Sequence, residues 1–121
     1  QLQALHFTGF HVPAATWQPA VNVYSYADRL DVCVDLAGVS REELAVNAEP
    51  RRLVIRGCRT LPDSGGGQRG GGRILIMEIP DGSFERVLEF SVEIDPVRVV
   101  ARQENGWLWI SLPRVNEEVR P

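Results

Sequence analysis

The strongest constraint on what this chain can become is a period of two in its apolar residues. Leu30, Val32, Val34 and Leu36 occupy alternate positions with Asp31, Cys33 and Asp35 between them, and Leu108, Ile110 and Leu112 repeat the arrangement near the other end. Successive side chains of an extended strand point to opposite faces, so such a stretch buries one face and offers the other to solvent. Almost no segment shows the three-to-four-residue spacing that a surface helix needs. Shorter runs fit the same reading: Val21–Tyr24 after Pro19, Leu44–Ala48, Leu53–Gly57, the series Phe84, Leu88, Phe90 and Val92, and a strand spanning Val97–Ala101. Tyr26–Asp28 and Pro50-Arg51 read as turns. Asn105-Gly106 is a hairpin signal, because both residues tolerate the positive φ of a two-residue turn. Ser40, three residues ahead of Glu43, predicts one helical turn with Ser40 as its cap. Six to eight short strands at this spacing predict an all-β, immunoglobulin-like antiparallel β-sandwich.

Composition narrows the function classes. A chain of 121 residues is one domain, and 44% hydrophobic with 24% charged residues is ordinary for a globular protein. The net charge of −3 gives no electrostatic case for a nucleic-acid partner. Two cysteines, Cys33 and Cys58, are too few for a secreted disulfide framework or a zinc site, and read as buried reduced thiols. No run approaches the ~18 apolar residues of a membrane span, and no signal-peptide pattern opens the chain, which reads as cytoplasmic with no membrane partner. The two histidines, His6 and His11, form no metalloprotease motif, and no motif-bearing serine or cysteine accompanies them. The expectation is a protein that is not an enzyme and needs no cofactor or metal.

Two segments break the strand pattern. Residues 1–16 carry Leu2, Leu5, Phe7, Phe10 and Val12 without a firm period, interrupted by Gly9 and Pro13, and read as a flexible arm. Residues 60–72 hold six glycines, Gly65–Gly67 and Gly70–Gly72, but neither a Walker motif nor a dinucleotide fingerprint, so they read as a loop of high backbone freedom. The loop leads straight into the compact apolar run Ile74-Leu-Ile-Met77. Left exposed, such a run would be an aggregation hazard.

The stretch Ala101-Arg-Gln-Glu-Asn-Gly-Trp-Leu-Trp-Ile-Ser-Leu-Pro113 resembles the signature of the α-crystallin domain of small heat shock proteins. Gly82-Ser-Phe-Glu-Arg86, Asp95-Pro96, Trp17-Gln-Pro-Ala-Val-Asn-Val-Tyr24, Asp35-Leu-Ala-Gly-Val39, Glu43-Leu-Ala-Val46 and Leu53-Val-Ile-Arg-Gly57 are similar to that family's further motifs, in the family's order. Ala37 and Ser91 stand where proline is common, and Trp107 and Trp109 are heavier than the residues usual there. The family's C-terminal tail motif is absent ahead of Pro121, so the extension reads as truncated.

The resemblance implies an arm over 1–16, an α-crystallin domain over 17–113 and a short extension over 114–121. It implies an ATP-independent holdase whose partners are itself, as a homodimer or larger oligomer, and unfolded client proteins. A groove for a neighbour's tail or a client would use Leu44, Val46, Val97 and Val99, or these residues are simply core. The dimer would form when Ile74, Leu75, Ile76 and Met77 add to the partner's strand around Val21 and Val23; the alternative is a strand within the chain. Arg86 would meet a carboxylate at that interface, or lie on the surface. Phe7, Phe10 and Trp109 are the expected client contacts, or Trp109 packs against the arm or a partner. Trp109 is expected to face away from the core, and Trp107 and Trp109 to lie on opposite strand faces, which would deny a ligand-binding sandwich its flat aromatic platform. A co-chaperone of the related CS-domain class is the other rival.

Overall fold

The computed structural model describes residues 15–62 and 72–115, which form seven strands. They are β1 (Val21–Ser25), β2 (Arg29–Asp35), β3 (Leu44–Glu49), β4 (Arg52–Arg59), β5 (Gly82–Glu89), β6 (Val100–Glu104) and β7 (Trp107–Pro113). One sheet has the order β1-β2-β7-β6 and the other β3-β4-β5, with every neighbouring pair antiparallel. The alternation in the sequence sets which side of each sheet faces inward. Val32, paired with Ile110, and Leu30, paired with Leu112, look across at Leu53 and Ile55 of the other layer, and all are buried. Phe84, Leu36, Ile94 and Leu108 complete this single apolar layer. Desolvating each such side chain contributes about 1.5–3 kcal/mol, which is what holds the two sheets face to face.

The turns follow their chemistry. Asn105 and Gly106 take φ of 52° and 86°, the geometry of a type I′ hairpin between β6 and β7. The Gly106 carbonyl then accepts from the Leu36 amide at 3.0 Å, tying this hairpin to the end of β2. Gly57 is required for a different reason. A Cβ there would stand 2.5 Å from both the Glu43 carbonyl oxygen and the Phe84 ring, so only glycine lets Phe84 lie flat against β4.

Three details differ from the sequence reading, and a fourth adds to it. The helical turn exists as Arg41–Glu43, but the Ser40 side chain makes no capping bond; its carbonyl accepts from the Glu43 amide instead. The segment Val97–Ala101 is not one strand, because Pro96–Arg98 forms a 3-10 turn capped by Asp95, whose side chain accepts from the Val97 amide. Trp107 and Trp109 share a face: they are two residues apart on β7, and Leu108, Ile110 and Leu112 take the other side. Pairing continues past Pro113, where Arg114 bridges Ile94 and the Val115 amide donates to Glu93.

Candidate functional site

A sandwich of two open sheets has four edge strands, and edges are where another chain can add. Here β3 and β6 are edge strands of opposite layers and flank one groove, while β1 and β5 are the edges farthest from it in each sheet's order. Leu44 and Val46 point inward from β3, opposite Gly57 and Ile55, and remain only partly buried because no strand lies beyond them. They line the groove of about 300 Å³ with Ala101 and Gln103 of β6, Leu108 as its floor, and Arg41 and Arg102. Gln103 donates from Nε2 to the Val39 carbonyl at 3.0 Å, joining the β6 wall to the turn that precedes β3. Of the four groove residues expected from sequence, Leu44 and Val46 line this space. Val99 instead packs on the core, and Val97 is 90% exposed on the 3-10 turn and lines nothing. Pro96 caused the misreading: it locks its own φ and starts a turn, so the period of two begins only at Val99. Ala101 and Gln103 were missed because a small and a polar residue give no hydrophobic signal, though their parity with Val99 marks the inner side.

The other candidate lies along β1. Val21 and Val23 face inward opposite Val34 and Val32, yet Val23 is 44% exposed because β1 has a strand only on its β2 side among the described residues. Ile74, Leu75, Ile76 and Met77 are 67%, 83%, 78% and 55% exposed, and Ile79 63%. They form no strand within the chain. Arg86 lies on the inner side of β5, opposite Ile55, and donates to the Pro19 carbonyl at 3.0 Å. No carboxylate pairs with it among the described residues; its bond fastens β5 to the strap that enters β1.

Trp109 packs on the outer side of the four-stranded sheet, its ring 6.2 Å from Tyr24 in a stacked arrangement and 5.9 Å from the Arg102 guanidinium. In the same row lies Cys33, which is buried although it faces outward, since Trp109 is its neighbour across the ladder. That burial, with a smaller contribution from Asp35, pushes the Cys33 thiol above its ordinary value. Cys58 is half-buried, and neither cysteine is bonded to another. Phe7 and Phe10 lie outside the described residues.

A larger cleft of about 1020 Å³ is lined by Arg29, Arg51, Arg98 and Arg114 at the end of the sandwich near Pro113. Its arginines are already engaged. Arg29 pairs with Asp31 and Asp28, and its pKa is raised chiefly by the Asp31 hydrogen bond. Arg98 pairs with Asp95, Arg51 bonds the Ser91 carbonyl, and Arg114 bonds the Tyr26 carbonyl. We read it as a charged seam. Among the described residues no cluster of three or more histidine, cysteine or acidic side chains is placed to hold a metal ion, and no helix is long and apolar enough to cross a membrane.

Two layers of three and four strands, an apolar groove between edge strands of opposite layers and an apolar segment outside the sandwich define the class of α-crystallin-type β-sandwiches. Residues 23–121 match the Hsp20/alpha crystallin family, and the chain belongs to it. It is 31% identical over 103 residues to Heat shock protein 16 of Schizosaccharomyces pombe, covering 82% of this chain and 68% of that protein. The structure of heat shock protein 16.0 from the same yeast superposes with a TM-score of 0.74 at 27% identity, over 93% of this chain and 78% of that one. The hspA structure from Xanthomonas axonopodis gives 0.69 at 27% identity, over 83% of this chain and 96% of that one. Membership assigns the chain to the small heat shock chaperones.

Proposed function

We propose that this protein is an ATP-independent holdase that assembles as a dimer through exchange of residues 74–77 and captures extended apolar polypeptide in the groove between β3 and β6. The observation that carries this reading is a matched need and opportunity: five large apolar side chains between Ile74 and Ile79 stand in solvent, and β1 pairs only with β2 among the described residues. Four extended residues span roughly 14 Å, within the length of the five-residue β1. Pairing with β1 would turn two of the four side chains onto the inner face; burying them yields roughly 3–6 kcal/mol per segment before ordering costs, and a symmetric exchange doubles the gain. The groove leaves less apolar surface open, since among Leu44, Val46, Ala101 and Leu108 the first two are half-buried and the last is buried. Binding there is accordingly weaker and reversible, as a protein that holds and releases many clients requires. Phe7 and Phe10, on an arm over 1–16, and Trp109 of β7 would extend the client surface beside the domain over 17–113.

The test heats a labile enzyme with this chain at near-stoichiometric ratio and no ATP while following light scattering, with solution mass measured in parallel. Suppressed scattering by a dimer or larger assembly is expected. A monomer, unaffected by removal of residues 74–77, would instead favour the CS-domain co-chaperone reading. A dimer that leaves aggregation unchanged would overturn the holdase assignment.

A further inference from the structure

Just past the exposed apolar run the chain is held tightly. Arg59, the last residue of β4, donates from Nε to the Ala37 carbonyl at 3.0 Å and from a terminal nitrogen to the Pro80 carbonyl at 3.2 Å. Its guanidinium lies 4.5 Å over the Trp17 ring. Trp17 in turn donates from Nε1 to the Gly82 carbonyl at 3.1 Å and sets its ring 5.1 Å from that of Phe84. Thr16 adds two bonds to the Ser83 carbonyl, from its amide at 2.9 Å and its hydroxyl at 3.0 Å, and the Glu85 amide donates to Trp17. Gly82 makes the corner at φ 91°, a conformation other residues rarely adopt. Residues 80–83 are therefore gripped by three side chains from two separate parts of the chain, while Ile74–Ile79 immediately before them stand exposed.

We propose that Arg59, Trp17 and Thr16 form a clamp that fixes the direction in which residues 72–79 leave the sandwich, and so sets the affinity with which one copy of this chain exchanges that segment with another. The inference rests on the exchange reading above and adds its positioning residues. A segment swinging freely from β5 would lose orientational freedom on pairing; one held at its base has lost part of it beforehand, which strengthens association without a new contact at the interface. The planar fork of arginine matters here. One guanidinium bonds two carbonyls and stacks on an indole, which a lysine ammonium does not reproduce. The same grip joins the point where the arm over 1–16 enters to the point where the exchange segment returns, so the two are braced against each other.

The experiment measures dimer dissociation constants by sedimentation for the 121-residue chain, with near-UV circular dichroism and thermal unfolding reporting the sandwich separately. Arg59→Gln and Arg59→Lys should both weaken the dimer about tenfold. Trp17→Phe keeps a ring but loses the bond to Gly82, and should weaken it about threefold. Arg56→Gln, on the outer side of the same strand beside Glu85, removes the same charge and should leave the dimer unchanged. Removal of 74–77 should give monomers. If that deletion gives monomers while both Arg59 variants and Trp17→Phe stay within twofold of the parent, the clamp is refuted and exchange stands. If the deletion leaves the dimer intact, exchange itself is refuted. Weakening by Arg59→Gln with full retention in Arg59→Lys would also refute the clamp, since charge alone would then suffice.

Discussion

Two apolar stretches of this chain have nearly the same composition and opposite fates. Leu108, Ile110 and Leu112 of β7 are almost wholly enclosed, whereas Ile74, Leu75, Ile76 and Met77 are more than half exposed. The difference is hydrogen-bonding neighbours and period. β7 has a strand on each side, and its apolar residues alternate so that one sheet face is apolar. The segment at 74–77 is apolar on consecutive residues, so any pairing leaves half of them on each face, and among the described residues no strand pairs with it. Hydrophobicity creates the demand for burial; the topology decides whether the chain can meet it alone.

The comparison can be broken in order of expected effect. Ile110→Ala or Leu53→Ala should cost about 2–5 kcal/mol of sandwich stability in denaturant unfolding, since the surrounding layer cannot close on the space. Gly57→Ala should cost about 1–3 kcal/mol by forcing Phe84 and the β3 approach apart. Leu75→Ser with Ile76→Ser should change monomer stability by no more than about 0.5 kcal/mol, while dimer mass is lost in the same samples. A core-like loss from that pair would show that the segment packs on its own sandwich. Val46→Glu should leave the dimer intact but lower protection of a heated enzyme severalfold, sharpening the division between groove and exchange edge.

The smallest effect concerns Cys33, which faces outward yet is buried. Its raised pKa means the folded state keeps the thiol protonated where the unfolded chain has lost the proton. The stabilising contribution is full below about pH 9 and declines as pH rises through the raised value. Unfolding free energy should therefore fall above that pH more steeply than in Cys33→Ala, and native Cys33 should react with thiol reagents more slowly than Cys58.

Much of the site was legible before the fold. Leu44 and Val46 carry an alternating pattern that marks an inner face, and the run at 74–77 stands out beside its glycines. Arg86 was legible in part. Its place among apolar neighbours signals the inward position it takes, whereas its bond to the Pro19 carbonyl had no sequence signature. The tryptophan pair was misjudged on elementary grounds, for positions two apart on a strand share a side. The clamp was invisible for a further reason: Thr16 and Trp17 lie far along the chain from Arg59, and the three carry no common pattern.

The sequence by itself determined the strands, their inward faces and the α-crystallin resemblance, because those depend on local alternation and turn chemistry that each segment carries within itself. Only the tertiary structure decided which strands stand at the edges, that Val97 belongs to a turn, and that Thr16, Trp17 and Arg59 meet at Pro80–Ser83. An edge is defined by the absence of a neighbour and a clamp by the meeting of remote groups. Both are properties of how the pieces pack, which no single segment encodes.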